Sequence, residues 1–157
     1  MNGLVIAICG AALCVLLSGT GSSLGVSYAA RAGAGVLSEK PELFGKLVVL
    51  EALPGTQGIY GFLIAVVIML KLNVFGGVVE PTVAQGWALL FAALPCGLVG
   101  LTSGILQGKA AAASIHMMAR QTDSLAKGIT LTAVVETYAI LALLVSFLLI
   151  QFGITVG

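Results

Sequence analysis

Apolar positions run almost unbroken along this chain, in stretches longer than any strand and longer than most soluble helices. Four of them reach the ~20 residues that a membrane-crossing helix needs: Leu4–Tyr28, Leu47–Leu72, Val83–Gly108 and Ile129–Phe152. The breaks between them are short and polar or glycine-bearing: SEKPELFG at Ser38–Gly45, NVFGGVVEP at Asn73–Pro81 and ARQTDSLAKG at Ala119–Gly128. The pattern predicts an all-α integral membrane protein, one domain over 1–157. Its four transmembrane helices form two hairpins, 1–78 and 79–157. Helical periodicity continues beyond the first and third stretches, through Arg31 and from Lys109 to Arg120, so those two helices are expected to project out of the hydrocarbon.

Composition agrees with the pattern. Charged residues are 8% of the chain and hydrophobic residues 59%, against roughly 25% charged in a soluble domain. A net charge of +1 gives a nucleic-acid partner no electrostatic support, and there is no basic patch, phosphate-binding glycine loop or His/Cys cluster with metal spacing. Cys9, Cys14 and Cys96 sit inside apolar runs and read as small core residues, not as a disulfide framework. A secretory leader would carry a positive residue before its apolar stretch. The first one here is Arg31, so the opening segment reads as a retained helix. Basic residues gather at the first and third loops (Arg31, Lys40, Lys46, Lys109, Arg120, Lys127), with only Lys71 at the second. By the positive-inside rule, loops one and three face the cytoplasm and both termini face outward, in a cell membrane whose lipids surround the helices.

The two halves repeat each other. GSSLG at Gly21–Gly25 aligns with GILQG at Gly104–Gly108, and PGTQGIYG at Pro54–Gly61 aligns with VETYAILA at Val135–Ala142. In the second alignment Thr56 pairs with Thr137, Ile59 with Ile140, and Glu136 falls opposite Gly55, so the second hairpin alone keeps an acid. Small residues recur every fourth position in helix one (Gly21, Gly25, Ala29, Gly33) and in helix three (Gly100, Gly104, Gly108, Ala112). Such positions share one helix face and permit close backbone approach. Helices one and three are therefore expected to pack side by side, as the inner layer of a closed ring requires.

Glu136 lies deep in the fourth stretch, with no basic residue nearer than Lys127. An ionisable side chain at that depth costs several kcal/mol and marks function. Depth also selects its neighbours. Asp123 to Glu136 and Gln107 to Arg120 are each 13 residues apart, and Glu42 to Gln57 is 15. Each separation is ~20 Å along a helix from one face, which brings Glu136, Gln57 and Gln107 to one level. On helix two, Leu53, Thr56, Gln57 and Tyr60 fall within about 100° of one another. Pro54 among them lacks an N–H, which frees the carbonyl of Leu50. The alternatives are local: Thr56 back-bonding to its own helix, Tyr60 simply packing. An inventory of carboxylate, amide oxygens, hydroxyls and loosened backbone, without sulfur or imidazole, suits a hard cation. More oxygens than a proton needs point to an alkali ion, Na⁺.

LPGTQGIYGF (Leu53–Phe62), LQGKAAA (Leu106–Ala112) and VVETYAI (Val134–Ile140) closely resemble the membrane rotor proteolipids of V-type ATPases, in their bacterial form. The resemblance spans essentially the whole chain. It implies a non-catalytic four-helix subunit that assembles with identical copies into a ring. That ring would carry one cation per protomer past a stator membrane subunit and join central-stalk subunits, with ATP hydrolysis in other subunits. The set of ligands in sodium-pumping members maps onto the Leu53 carbonyl, Thr56, Gln57, Gln107 and Glu136, with Tyr60 hydrogen-bonding Glu136. The same ring coupled to H⁺ is the alternative. A small proton-coupled multidrug carrier also has four helices around one glutamate, but keeps that acid in its first helix and lacks twin glycine ladders. A purely structural pore leaves Glu136 unexplained. Glu51 stands off the liganding stripe and is expected to reach headgroups or pair with Lys46. His116 reads as an interfacial polar residue.

Overall fold

A computed structural model describes residues 2–156. Four helical spans, Gly3–Leu37, Pro41–Lys71, Val83–Arg120 and Leu125–Gly153, are long and apolar enough to cross a membrane. In order they are α1 (Gly3–Leu37), a second span made of α2 (Phe44–Ala52) and α3 (Thr56–Lys71) joined by the tight turn Leu53–Gly55, then α4 (Val83–Arg120) and α5 (Leu125–Leu148). Among the described residues there is no strand. At 1.5 Å per residue, α4 is about 57 Å long against a ~30 Å hydrocarbon core, so its projection into the loop region is real. The second and fourth spans also begin four to six residues before the apolar stretches do, because Pro41 and Ser124 start helix ahead of the first apolar run.

Capping explains the well-defined starts. The Asn2 side chain accepts the Leu4 amide at 3.1 Å. Thr82 and Gln85 form a reciprocal box at the start of α4, with bonds of 2.8 and 3.3 Å, each satisfying an amide that a helix N-terminus leaves orphaned. The reversal between the two hairpins takes Asn73 to φ +48° and Gly77 to φ +129°. The Asn73 amide donates to the Gly77 carbonyl at 3.0 Å.

The most extensive contact in the molecule is α1 against α4. A Cβ on Gly21 would lie 2.5 Å from the Leu101 Cα, and one on Gly104 2.6 Å from the Gly21 carbonyl carbon; Gly25 faces Gly104 and Gly108 just as tightly. The close seam differs from the expected ladder in its direction. A Cβ on Gly33 would meet nothing and Ala112 is only half-buried, so the helices diverge toward the first and third loops. The seam instead continues the other way, through Gly10 against Leu90 and Gly3 against Gly86. Sequence spacing alone could not choose the direction, since glycines occur both ways along α1.

Both ends are tied by side chains that donate to carbonyls in or beside another span. At one end Lys40 donates to the Ala119 carbonyl, and Lys46 to the Thr122 carbonyl at 2.9 Å. These lysines meet the partial negative charge at the end of α4. At the other end Lys71 donates to the Gln151 carbonyl at 3.2 Å and Gln85 to that of Thr155 at 2.7 Å. Leu131, Val134, Tyr138, Leu141, Val145 and Leu148 form one exposed apolar stripe along α5, a face suited to hydrocarbon.

Candidate functional site

The second span breaks where its site residues begin. Pro54 is buried and supplies no N–H, and the arithmetic of i→i−4 bonds places the released carbonyl at Leu50. The irregular backbone reaches further, to Leu53–Gly55, where the Thr56 amide turns back onto the Leu53 carbonyl. The Thr56 hydroxyl donates to that same carbonyl at 3.1 Å. The back-bonding alternative for Thr56 is thus what its proton does, while the lone pairs of its oxygen stay free. Leu53 and Thr56 present two oxygens side by side, one turn before Tyr60.

The depth coincidence read from the spacing holds in three dimensions. Gln57 and Gln107 are fully buried, and the Gln57 amide nitrogen donates to the Gln107 side-chain carbonyl. Gln107 Nε2 donates to the Thr132 carbonyl at 3.3 Å and to Glu136 Oε2 at 3.5 Å. The Tyr60 hydroxyl donates to Glu136 Oε1, so the phenol does more than pack. Glu136 itself is half-buried, as are Leu53, Thr56 and Tyr60. The amides form a sealed floor, and the carboxylate stands at the flank, open to whatever lies beside the helix.

Two residues escaped the sequence reading. Ser103 is buried; its hydroxyl donates to the Val135 carbonyl at 3.2 Å and accepts from Gln57 Nε2 at 3.3 Å. Thr132 is fully buried, supplies the carbonyl that anchors Gln107, and shares a 3.2 Å bond with Ser114. The signal was present: Ser103 stands four residues before Gln107, and Thr132 four before Glu136, each on its partner's helix face. Of the residues set aside, Glu51 is half-buried, but Lys46 is engaged with Thr122 and not with it. His116 is exposed on the end of α4, away from the site.

One polar atom here stands out. Gln57 Oε1 is the buried side-chain oxygen without a partner among the described residues. An unpaired buried acceptor costs about 1–3 kcal/mol, and this one belongs to an amide bonded to Gln107, which in turn bonds Glu136. No group of three or more His, Cys, Asp or Glu side chains gathers among the described residues, so the donor set is amide, hydroxyl, carboxylate and backbone oxygen. Such a set fits a hard cation of low charge.

Four helices long and apolar enough to cross a membrane, packed around the half-buried carboxylate of Glu136 and its buried amides, define a membrane proteolipid. The sequence profile of the ATP synthase C subunit family matches the chain twice, over residues 9–68 and 90–149. The chain is 44% identical over 149 residues to the V-type sodium ATPase subunit K of Enterococcus hirae, spanning 95% of this chain and 92% of that protein. It is 40% identical over 150 residues to the A-type ATP synthase subunit K of Methanocaldococcus jannaschii, spanning 96% of this chain and 64% of that one. To the 16 kDa proteolipid of the V-type proton ATPase of Ascaris suum it is 35% identical over 102 residues, 62% of each. The chain belongs to the ATP synthase C subunit family, as a rotor proteolipid of the V/A-type ATPases.

Proposed function

We propose that this chain forms a ring of identical copies and carries Na⁺ through the membrane, one ion per protomer. The ion is held by Glu136, Gln57, Gln107, Thr56 and the Leu53 carbonyl, while the Tyr60 hydroxyl steadies the carboxylate. The observation that carries the reading is the orphaned, buried Gln57 oxygen, whose amide is bonded to Gln107, itself a hydrogen-bond partner of Glu136. A bound monovalent cation gives that oxygen a partner and neutralises Glu136 in one step. The neutral complex can then cross a hydrophobic boundary that the bare carboxylate cannot. The half-exposed flank of Glu136 is the side from which an ion can leave, and a stator subunit passing that flank is the partner that would draw it out. The protomer is non-catalytic on this reading. ATP chemistry lies in subunits reached through the stalk that docks on the cytoplasmic loops, with both termini of the protomer outside. The twofold profile match supports descent of the hairpins 1–78 and 79–157 from one ancestral hairpin.

The proton-coupled ring is the second reading, favoured by the Tyr60 and Gln107 bonds to Glu136, which would also hold a protonated carboxyl. The relatives carry both ions in their names. Carbodiimide labelling of the purified ring separates the two, because the reagent attacks a protonated carboxyl. Adding Na⁺ at fixed pH should slow modification of Glu136, Li⁺ should partly substitute, and protection should weaken as pH falls and protons compete for the same charge. Labelling that follows pH alone and ignores Na⁺ at high concentration would overturn the sodium assignment and leave the ring.

A further inference from the structure

Which atom of Gln57 faces the ion is decided outside the liganding set. The polar groups beneath the site form a chain anchored at both ends on backbone carbonyls of α5. At one end the Ser103 hydroxyl donates to the Val135 carbonyl at 3.2 Å; at the other, Gln107 Nε2 donates to the Thr132 carbonyl at 3.3 Å. A backbone carbonyl only accepts, so both anchors point their donors toward α5. The Ser103 oxygen and the Gln107 side-chain oxygen then have only lone pairs left to offer toward α3. Gln57 lies between them and must answer both with N–H groups, which it does: Nε2 to Ser103 Oγ at 3.3 Å, and Nε2 to Gln107 Oε1. Both amide protons are used, and Oε1 is left buried and unpartnered.

We propose that Ser103 is a positioning residue for ion selectivity, locking the Gln57 amide so that its oxygen and not its N–H groups faces the bound ion. The inference rests on the cation-carrying reading above. Reversing the amide would set two oxygens against each other at Gln107 and take the only proton of Ser103 away from Val135. It would also turn an NH₂ group toward a cation, converting a ligand into a repulsive group, whereas a protonated Glu136 could use that NH₂ as a donor. Ser103 therefore biases the site toward a metal cation and against a proton without touching either.

The test is Na⁺ protection of Glu136 from carbodiimide in intact rings of wild type, Ser103→Ala and Ser103→Thr, with ring integrity checked by native mass spectrometry. Alanine removes one of two bonds that orient Gln57, and a single hydrogen bond corresponds to an expected loss of about 3- to 10-fold in apparent Na⁺ affinity. Labelling without Na⁺ should keep its wild-type pH profile, a separation that general loosening of the fold would not produce. Threonine keeps the hydroxyl and should restore most of the affinity. Wild-type affinity in Ser103→Ala, or an equal loss in Ser103→Thr, overturns the positioning role while the sodium reading stands. A wild-type ring blind to Na⁺ overturns that reading and the role with it.

Discussion

The family profile matches both hairpins, yet only the second carries an acid at the level of the site. At the level of the site the first hairpin offers Gly55 where the second has Glu136, and Leu24 where the second has Gln107. Leu24 is 42% exposed and Gln107 fully buried, so equivalent rungs have opposite surroundings. The backbone diverges in the complementary sense. The second span breaks at Leu53–Gly55, whereas α5 runs continuously through Val135 and Glu136. One hairpin thus supplies loosened backbone and neutral oxygens, and the other supplies charge, a buried amide and the carbonyls that orient it. Neither half holds the whole site.

The sharpest way to break that comparison is at the seam the hairpins share. Gly108→Leu puts a branched side chain where the backbone of Gly25 already lies, and Gly25→Leu does the same from the other side. Neither partner can retreat without parting α1 from α4. The expected outcome is complete loss of stable rings, read by native mass spectrometry of the detergent-extracted protein; rings of normal mass from both variants would contradict the packing. Glu136→Gln is the next largest. It keeps the shape and the bonds that an amide can make but removes the charge that, in the proposed function, balances the ion. Transport by the reconstituted ATPase should vanish while rings still assemble. Residual Na⁺-coupled transport near the wild-type rate would show that Glu136 does not carry the ion.

Much of this was legible in the linear sequence because a membrane restricts what a sequence can do. Backbone polar groups in hydrocarbon must be satisfied internally, so four long apolar stretches meant four helices, and constant rise made depth a matter of counting residues. That is why the spacing alone brings Gln57, Gln107 and Glu136 to one level. Lateral geometry was less legible. Counting bonds around Pro54 released Leu50, but a proline inside a helix also tightens the turn beside it, and the altered carbonyl at Leu53 followed from that local geometry. The direction of the glycine seam depended on where the hairpins diverge. Ser103 is not legible in this way, because a serine in an apolar helix usually bonds to its own backbone, as Ser18 does with the Cys14 carbonyl at 2.7 Å. Nothing in the residue type says which serine reaches across instead.

Substitutions within the site sharpen the division between the hairpins. Gln107→Leu places on α4 the residue that the first hairpin has at the equivalent rung, Leu24. It removes an oxygen from the floor and the partner of the Gln57 amide together. Losing a hydrogen-bonding partner of a charged site corresponds to about 1.5–3 kcal/mol, or about one to two decades in apparent Na⁺ affinity. Thr56→Val is isosteric and leaves the Leu53 carbonyl in place, so its loss should fall at the lower end of that range. Both are read as Na⁺ protection of Glu136, which should itself remain reactive. Equal affinity in wild type and Gln107→Leu would remove Gln107 from the site.

The smallest expected effect tests whether the broken helix matters or only the side chains it carries. Pro54→Ala restores an N–H at position 54, which can bond the Leu50 carbonyl and favours a regular helix through Leu53–Gly55, making the second span more like α5. Thr56, Gln57 and Tyr60 keep their identities. A regular turn would engage the Leu53 carbonyl in an i→i−4 bond with the Gln57 amide and draw it away from the Thr56 hydroxyl beside it. One backbone oxygen would be weakened as a ligand, with no side chain lost. Alanine keeps the Cβ that lies against Gly25 but loses the rest of the buried proline ring, so thermal stability of the ring needs measuring alongside affinity. Partial loss of one neutral ligand corresponds to about a 3- to 10-fold drop in apparent Na⁺ affinity, with rings assembled and the pH profile of labelling unchanged. If Pro54→Ala binds Na⁺ as tightly as wild type, the broken turn is a packing device and the Leu53 carbonyl is not a ligand. The division between the hairpins would then lie in their side chains alone.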